Sequence, residues 1–193
     1  MVTDVLPCYV VCDVSLSMAD HLAAVNAGLR EFRGAVHADP SAAALTRVCV
    51  VGFAAAATVL QPLRPAAELT EVSASRPRTG TNFGPAFALL RETIAHDVRT
   101  LKAHRLRVRR PVVFFASDGR PTDQATWPEA FAALADPAWA SRPTVVAYGL
   151  GAVDRDTLDR IGTSRVFLGQ DGIGLGTALA VAVTWTARRR DRV

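Results

Sequence analysis

Three apolar stretches constrain the fold of this chain more than any other feature. They are Pro7-Cys8-Tyr9-Val10-Val11-Cys12, Pro111-Val112-Val113-Phe114-Phe115-Ala116 and the run from Pro143 to Gly149. A strand with one wet face alternates apolar and polar residues; a near-continuous apolar run belongs to a strand covered on both faces, as in a parallel sheet. Between these runs the apolar spacing changes to that of helices. Leu22, Val25, Leu29, Phe32 and Val36 recur every three or four residues, and Phe83, Phe87, Leu90, Ile94 and Leu101 do the same. Strands alternating with helices predict an α/β, Rossmann-like, doubly wound and mostly parallel sheet of six strands, with helices on both faces.

The remaining elements follow from local signals. Asp39-Pro40 breaks the first helix, and Arg47–Ala54 reads as a second strand. Thr58-Val59-Leu60 follows so closely that it must pair antiparallel, as one short strand. Residues 61–80, with Pro62, Pro65, Pro77 and Gly80, read as loop. Thr126-Trp127-Pro128-Glu129 has the pattern of a capping box opening a helix, with Pro early in its first turn. A short helix is expected over 154–161, a last strand over 165–168 and a closing helix over 175–189. With no repeat, low-complexity tract or linker, the 193 residues are read as a single domain.

Composition excludes some functions. No stretch of 18 residues is apolar and uncharged, so no membrane-spanning helix is expected, and the N-terminus lacks the layout of a signal peptide. Three cysteines include Cys8 and Cys12 on one strand, about 13 Å apart and beyond disulfide reach. They read as small core residues in a reducing cytoplasm. The net charge of +4 comes from a chain whose only lysine is Lys102 among 22 basic residues. Arg99, Lys102, Arg105, Arg107, Arg109 and Arg110 form one basic run and Arg188, Arg189, Arg190 and Arg192 another. Neither has the interleaved aromatics of a nucleic-acid platform, so both read as solvated surface. The four histidines, His21, His37, His96 and His104, also read as surface residues, without metal-ligand spacing.

Chemistry concentrates in three segments. Asp13-Val14-Ser15-Leu16-Ser17 follows the first strand and precedes the first helix, at the edge where open α/β sheets bind ligands. A carboxylate and two hydroxyls are hard oxygen donors suited to Mg²⁺, Mn²⁺ or Ca²⁺ rather than zinc. Ser17 followed by Asp20 also approximates a capping box. Thr79-Gly80-Thr81-Asn82-Phe83-Gly84 precedes the second long helix, and Ser117-Asp118-Gly119 follows the Val112–Phe115 strand. Asp13, Ser15, Ser17, Thr81 and Asp118 can therefore converge on one cation. Thr81 also reads as a helix N-cap and Asp118 as a turn residue. Asp123 reads as a turn or cap residue, and Ser117 as a hydrogen-bonding residue outside the ligand set.

These segments resemble the von Willebrand factor type A domains, also called integrin I-type domains. Their metal-ion-dependent adhesion site (MIDAS) is an Asp-x-Ser-x-Ser loop, a distant Thr and a more distant Asp. Those elements match Asp13, Ser15, Ser17, Thr81 and Asp118 in order. Thr-Gly-Thr-Asn-Phe-Gly and Ser-Asp-Gly-Arg-Pro-Thr-Asp look most like the bacterial tellurium-resistance, TerY-like branch. The resemblance implies that Ser15, Ser17 and Thr81 ligate Mg²⁺ or Mn²⁺, in preference to Ca²⁺, through their hydroxyls. Asp13 and Asp118 would act directly or through water. One open position would take an acidic residue of a protein partner, with no catalysis. Leu16 departs from the pattern, since many members have Gly there.

The rival enzyme reading is a Mg²⁺-dependent, haloacid-dehalogenase-like phosphatase with Asp13 as nucleophile. Such enzymes want a second Asp where this chain has Ser15, and a phosphate-binding lysine for which Lys102 is the one candidate. Gly172-x-Gly174-x-Gly176 lacks the dinucleotide-binding spacing, and there is no Gly-x-Ser-x-Gly elbow. A scaffold with an idle metal site is a third reading.

Overall fold

The apolar runs become the inner strands of a seven-stranded sheet in a computed structural model of the chain, which describes residues 3–72, 79–189 and 193. Strand β1 (Asp4–Asp13) lies at the centre. Then come helix α1 (Leu22–Ala38), the short helix α2 (Pro40–Leu45), β2 (Thr46–Phe53) and β3 (Ala57–Pro65). Helix α3 (Phe83–Ala103), β4 (Arg107–Val108) and β5 (Val112–Ser117) follow. The chain continues through α4 (Trp127–Ala135), β6 (Thr144–Gly149), α5 (Arg155–Ile161), β7 (Arg165–Leu168) and α6 (Leu175–Arg189). The sheet order is β3-β2-β1-β5-β6-β7, with β4 beside the start of β1, and only the β2–β3 pair is antiparallel.

Alternation along each strand divides the core in two. Leu6, Cys8, Val10 and Cys12 of β1, with Val112, Phe114 and Ala116 of β5, face α1 and α6. Val5, Tyr9 and Val11, with Val113 and Phe115, face α3, α4 and α5. Each fully buried Val, Leu or Phe among them contributes about 1.5–3 kcal/mol, which is why the inner stretches of β1 and β5 are apolar on both faces. The first face closes through small residues. A Cβ on Gly176 of α6 would stand 2.6 Å from the Gly28 carbonyl oxygen of α1, so glycine sets how closely these helices approach.

The structure departs from several sequence expectations. The sheet has seven strands rather than six, because Arg107-Val108 pairs with Asp4-Val5. The third strand runs to Pro65, so the loop expected from residue 61 begins later; Ala66–Glu68 is then a 3-10 turn, and Pro77 lies outside the described residues. Asp39-Pro40 ends α1 but also starts α2, the Asp39 carboxylate accepting from the Ser41 and Ala42 N–H groups. The Thr126–Glu129 capping box does not form: the Thr126 hydroxyl donates to the Asp123 carbonyl instead. Part of the basic run is not free surface either. Arg107 and Arg109 pair with Asp4 at 2.8 and 2.9 Å. The side chains of the run at 188–192 lie outside the described residues. Cys8, Cys12 and Cys49 are buried and unpaired, and burial pushes each thiol up to about 12.

Candidate metal centre

The chain order places β1 and β5 side by side while their following helices go to opposite faces, so the strand order reverses between them. Ligands bind at such a switch point, beyond the carboxyl ends of the strands. Asp13 ends β1, in register with Phe53 on β2, and Cys12 is in register with Ala116 on β5. Asp13 therefore faces Ser117 and Asp118 across adjacent strand ends.

Hydrogen bonds fix the site loop by loop. Asp13 Oδ1 accepts from the Ser15 N–H at 2.9 Å, and Asp13 Oδ2 accepts from the Ser117 hydroxyl at 2.7 Å. The Ser15 and Ser17 hydroxyls lie 3.1 Å apart. The Asp-x-Ser-x-Ser segment enters a 3-10 turn over Leu16–His21 before α1 begins, rather than passing straight into the α-helix. No side chain caps that turn, so the capping reading of Ser17 and Asp20 does not hold. Asp118 Oδ1 accepts from the Arg120 N–H at 3.0 Å, and its second oxygen has no hydrogen-bond partner among the described residues. Gly119 has φ +76°, and a Cβ there would stand 2.6 Å from the Asp154 carbonyl oxygen. Only glycine adopts that conformation readily.

Thr81 reaches the same loop through Thr122. The Thr122 hydroxyl accepts from the Thr81 N–H at 3.0 Å, and the Thr122 N–H donates to the Thr81 carbonyl at 2.8 Å. The Thr122 hydroxyl donates in turn to Asn82 Oδ1, and the Asn82 N–H donates to Ala54 at the end of β2. Thr81 is not the N-cap of α3. Asn82 holds that position, and the first helical N–H groups, Phe83 and Gly84, donate to the two oxygens of Asp123 at 2.9 and 2.8 Å. The Thr81 hydroxyl is left with no hydrogen bond among the described residues.

Asp13, Ser15, Thr81 and Asp118 are buried, and Ser17 is exposed. Burial pushes the Asp13 carboxyl above its ordinary value; hydrogen bonds from Ser15 and Ser117 oppose the shift, and the Asp118 charge adds to it. Carboxylate and hydroxyl oxygens of the kind these loops carry suit a hard divalent cation. No group of three or more His, Cys, Asp and Glu suited to a metal occurs among the described residues.

Ser117 and Asp123 fill the hydrogen-bonding and capping roles that the sequence suggests for them, and Thr122 is an addition. Ser117 locks Asp13, Thr122 joins two loops, and Asp123 caps α3 across 40 residues. The Ser-Asp-Gly-Arg-Pro-Thr-Asp segment contains all three, but their partners are set by tertiary approach. His21 is also more than surface: a Cβ on Gly151 would meet its Nε2 at 2.6 Å.

Below the loops lies an aromatic floor. Phe53, Phe83 and Phe115 meet at centroid distances of 4.9–5.6 Å, with Trp127 6.0 Å from Phe83. Phe83 opens the helix that follows the Thr81 loop, Phe115 lies on the strand that leads into the Ser117 loop, and Phe53 is in register with Asp13.

No family model matches the sequence, and no curated protein matches it. Solved structures do match. An aerotolerance-related membrane protein from Bacteroides fragilis NCTC 9343 aligns with a TM-score of 0.64 and 13% identity, over 95% of this chain and 99% of that one. Proximal thread matrix protein 1 from the mussel byssus, with a zinc-occupied MIDAS motif, aligns with a TM-score of 0.60 and 16% identity, over 94% and 46%. The ArnB paralog VWA2 from Sulfolobus acidocaldarius aligns with a TM-score of 0.50 and 17% identity, over 100% and 47%. Likeness at these identities concerns the backbone, and the fold of this chain is that of the von Willebrand A-type domains.

Proposed function

We propose that this chain is one von Willebrand A-type domain that binds a protein partner through a divalent cation. Asp13, Ser15, Ser17, Thr81 and Asp118 would hold Mg²⁺ or Mn²⁺, the three hydroxyls directly and the two carboxylates directly or through water. With neutral hydroxyls supplying much of the first shell, the ion keeps residual positive charge and an open position for a partner carboxylate. The observation that carries this reading is the pair of oxygens left unengaged at a crowded edge: the Thr81 hydroxyl and the second oxygen of Asp118. A cation between Asp13 and Asp118 would also relieve their mutual repulsion. The zinc-occupied MIDAS of the mussel protein supports a metal in this fold.

The phosphatase reading has two observations against it. Ser15, where such an enzyme needs an acid, instead donates its N–H to Asp13 and places its hydroxyl beside that of Ser17. Lys102 sits near the far end of α3, whose 21 residues span about 30 Å from the site. The domain is therefore read as a binder and not an enzyme. Buried free thiols support a reducing cytoplasm, and no helix among the described residues is long and apolar enough to cross a membrane. The Thr79–Gly84 and Ser117–Asp123 segments support a role in a bacterial tellurite or stress-response system.

A thermal-shift titration tests the site. A cation bound only by the folded state at a hundredfold excess over Kd stabilises by about 2.7 kcal/mol. The melting point is expected to rise with Mg²⁺ or Mn²⁺ and fall with chelator, and Ser15→Ala and Asp118→Ala are expected to lose that response. A wild-type melting point indifferent to both cations and to chelator would sink the reading.

A further inference from the structure

Two exposed side chains stand beside the five proposed ligands without any role in holding them. Leu16, between Ser15 and Ser17, is 61% exposed, more than any other large hydrophobic residue described. Its neighbour Met18 is fully buried, so the turn has an inward apolar anchor and Leu16 is not needed for that purpose. Arg120 is exposed in the adjacent loop. Its N–H is bound to Asp118, while its guanidinium makes no hydrogen bond or ion pair among the described residues. Neither acid at this edge forms an ion pair with it: Asp123 accepts from the start of α3, and Asp154, against whose carbonyl Gly119 packs, caps α5 through Thr157. That packing holds the Arg120 loop in place before any partner arrives.

We infer that the partner is a protein segment with three features: a carboxylate for the cation, an apolar side chain that packs on Leu16, and a second acidic group that pairs with Arg120. The inference rests on the cation reading of the site and specifies what occupies it. Arg120 presents an exposed guanidinium with no hydrogen bond or ion pair among the described residues beside the proposed cation, which favours a segment that carries a second acid there. An exposed leucine between two ligands favours a polypeptide over a nucleic acid, whose phosphates offer it nothing to pack on.

Fluorescence anisotropy on the full chain in saturating Mg²⁺ tests this with fluorescein-labelled peptides built around Leu-Asp-Gly-Glu and the reverse order, Glu-Gly-Asp-Leu. Replacing the peptide Leu by Ser, or its Glu by Gln, is expected to weaken binding about fivefold or more. Leu16→Ser is expected to weaken the parent peptide but not the Leu-to-Ser peptide. Arg120→Ala should behave likewise toward the Glu-to-Gln peptide, and its effect should shrink in high salt. Both variants keep the wild-type melting response to Mg²⁺. Additive effects in both cycles, no peptide binding by a chain that does respond to Mg²⁺, or tighter binding of a labelled oligothymidylate would overturn the inference while leaving the metal site standing. Loss of the wild-type Mg²⁺ response would remove the site reading, and this inference with it.

Discussion

The two faces of the sheet do different work with different side chains. Toward α3 and α4, Phe53, Phe83, Phe87, Phe115 and Trp127 interlock directly beneath the candidate site. Toward α1 and α6 the filling is mostly aliphatic, with Phe114 stacked on Tyr148 as the described aromatic pair, and the helices approach to glycine-limited distance. Large rigid rings transmit the position of one strand end to the next, because a displaced ring displaces its neighbours. Small residues between the helices of the other face fix a distance, while Val14 and Met18 anchor the Asp13 turn in that face's aliphatic core. The aromatic face therefore underlies the Thr81 and Ser117 loops, and the other face closes the molecule and seats the Asp13 turn.

Phe83→Ala should have the largest effect. Truncating a fully buried phenylalanine costs about 3–5 kcal/mol, read as a lower urea midpoint. Because Phe83 follows Thr81 and joins Phe53 and Phe115, this variant should also need more cation to reach half its stabilisation. An unchanged cation midpoint would break the comparison. Gly176→Ala should cost about 1–3 kcal/mol by overpacking, since the added methyl meets backbone that must move. Its cation midpoint should stay at the wild-type value, and a shift as large as that of Phe83→Ala would show both faces positioning the loops alike.

The smallest effect concerns the far end of the aromatic face. Asp97 accepts from the Tyr9 hydroxyl at 3.0 Å, and burial pushes its carboxyl above the ordinary value of 3.8 despite that bond and the nearby His96. Its folded-state value is thus the higher one. The folded state holds the proton more tightly, so this group favours folding fully below 3.8, and that contribution is lost as pH rises through the raised value. Urea midpoints measured across that interval should fall less steeply with pH in Asp97→Asn than in wild type, with the cation response unchanged. Equal slopes would show that Asp97 titrates as an exposed acid.

Much of this was legible without coordinates. The apolar runs of β1, β5 and β6 announced strands buried on both faces, and the spacings from Leu22 and Phe83 announced the two long helices. Other elements were not legible for definite reasons. Arg107-Val108 is too short to show any period, and it becomes a strand only because Asp4-Val5 is there to pair with it. Asp39-Pro40 is both a stop and a start, and a pattern that ends one helix reads as a break. Thr126-x-x-Glu129 has the letters of a capping box, yet Asp123 offers its carbonyl to the Thr126 hydroxyl and its carboxylate to α3.

Residue order alone determined which side chains could take part in the site, because donor chemistry and strand-end position are local properties. It also determined the layering, because burial on both faces is written in the absence of alternation. Tertiary structure decided which oxygens are engaged and which are left over. Asp13 is held by a serine 104 residues away, and α3 is capped by an acid from another loop, which frees the Thr81 hydroxyl. Hydrogen bonds between distant segments depend on the three-dimensional approach of strand ends, and no local spacing encodes it.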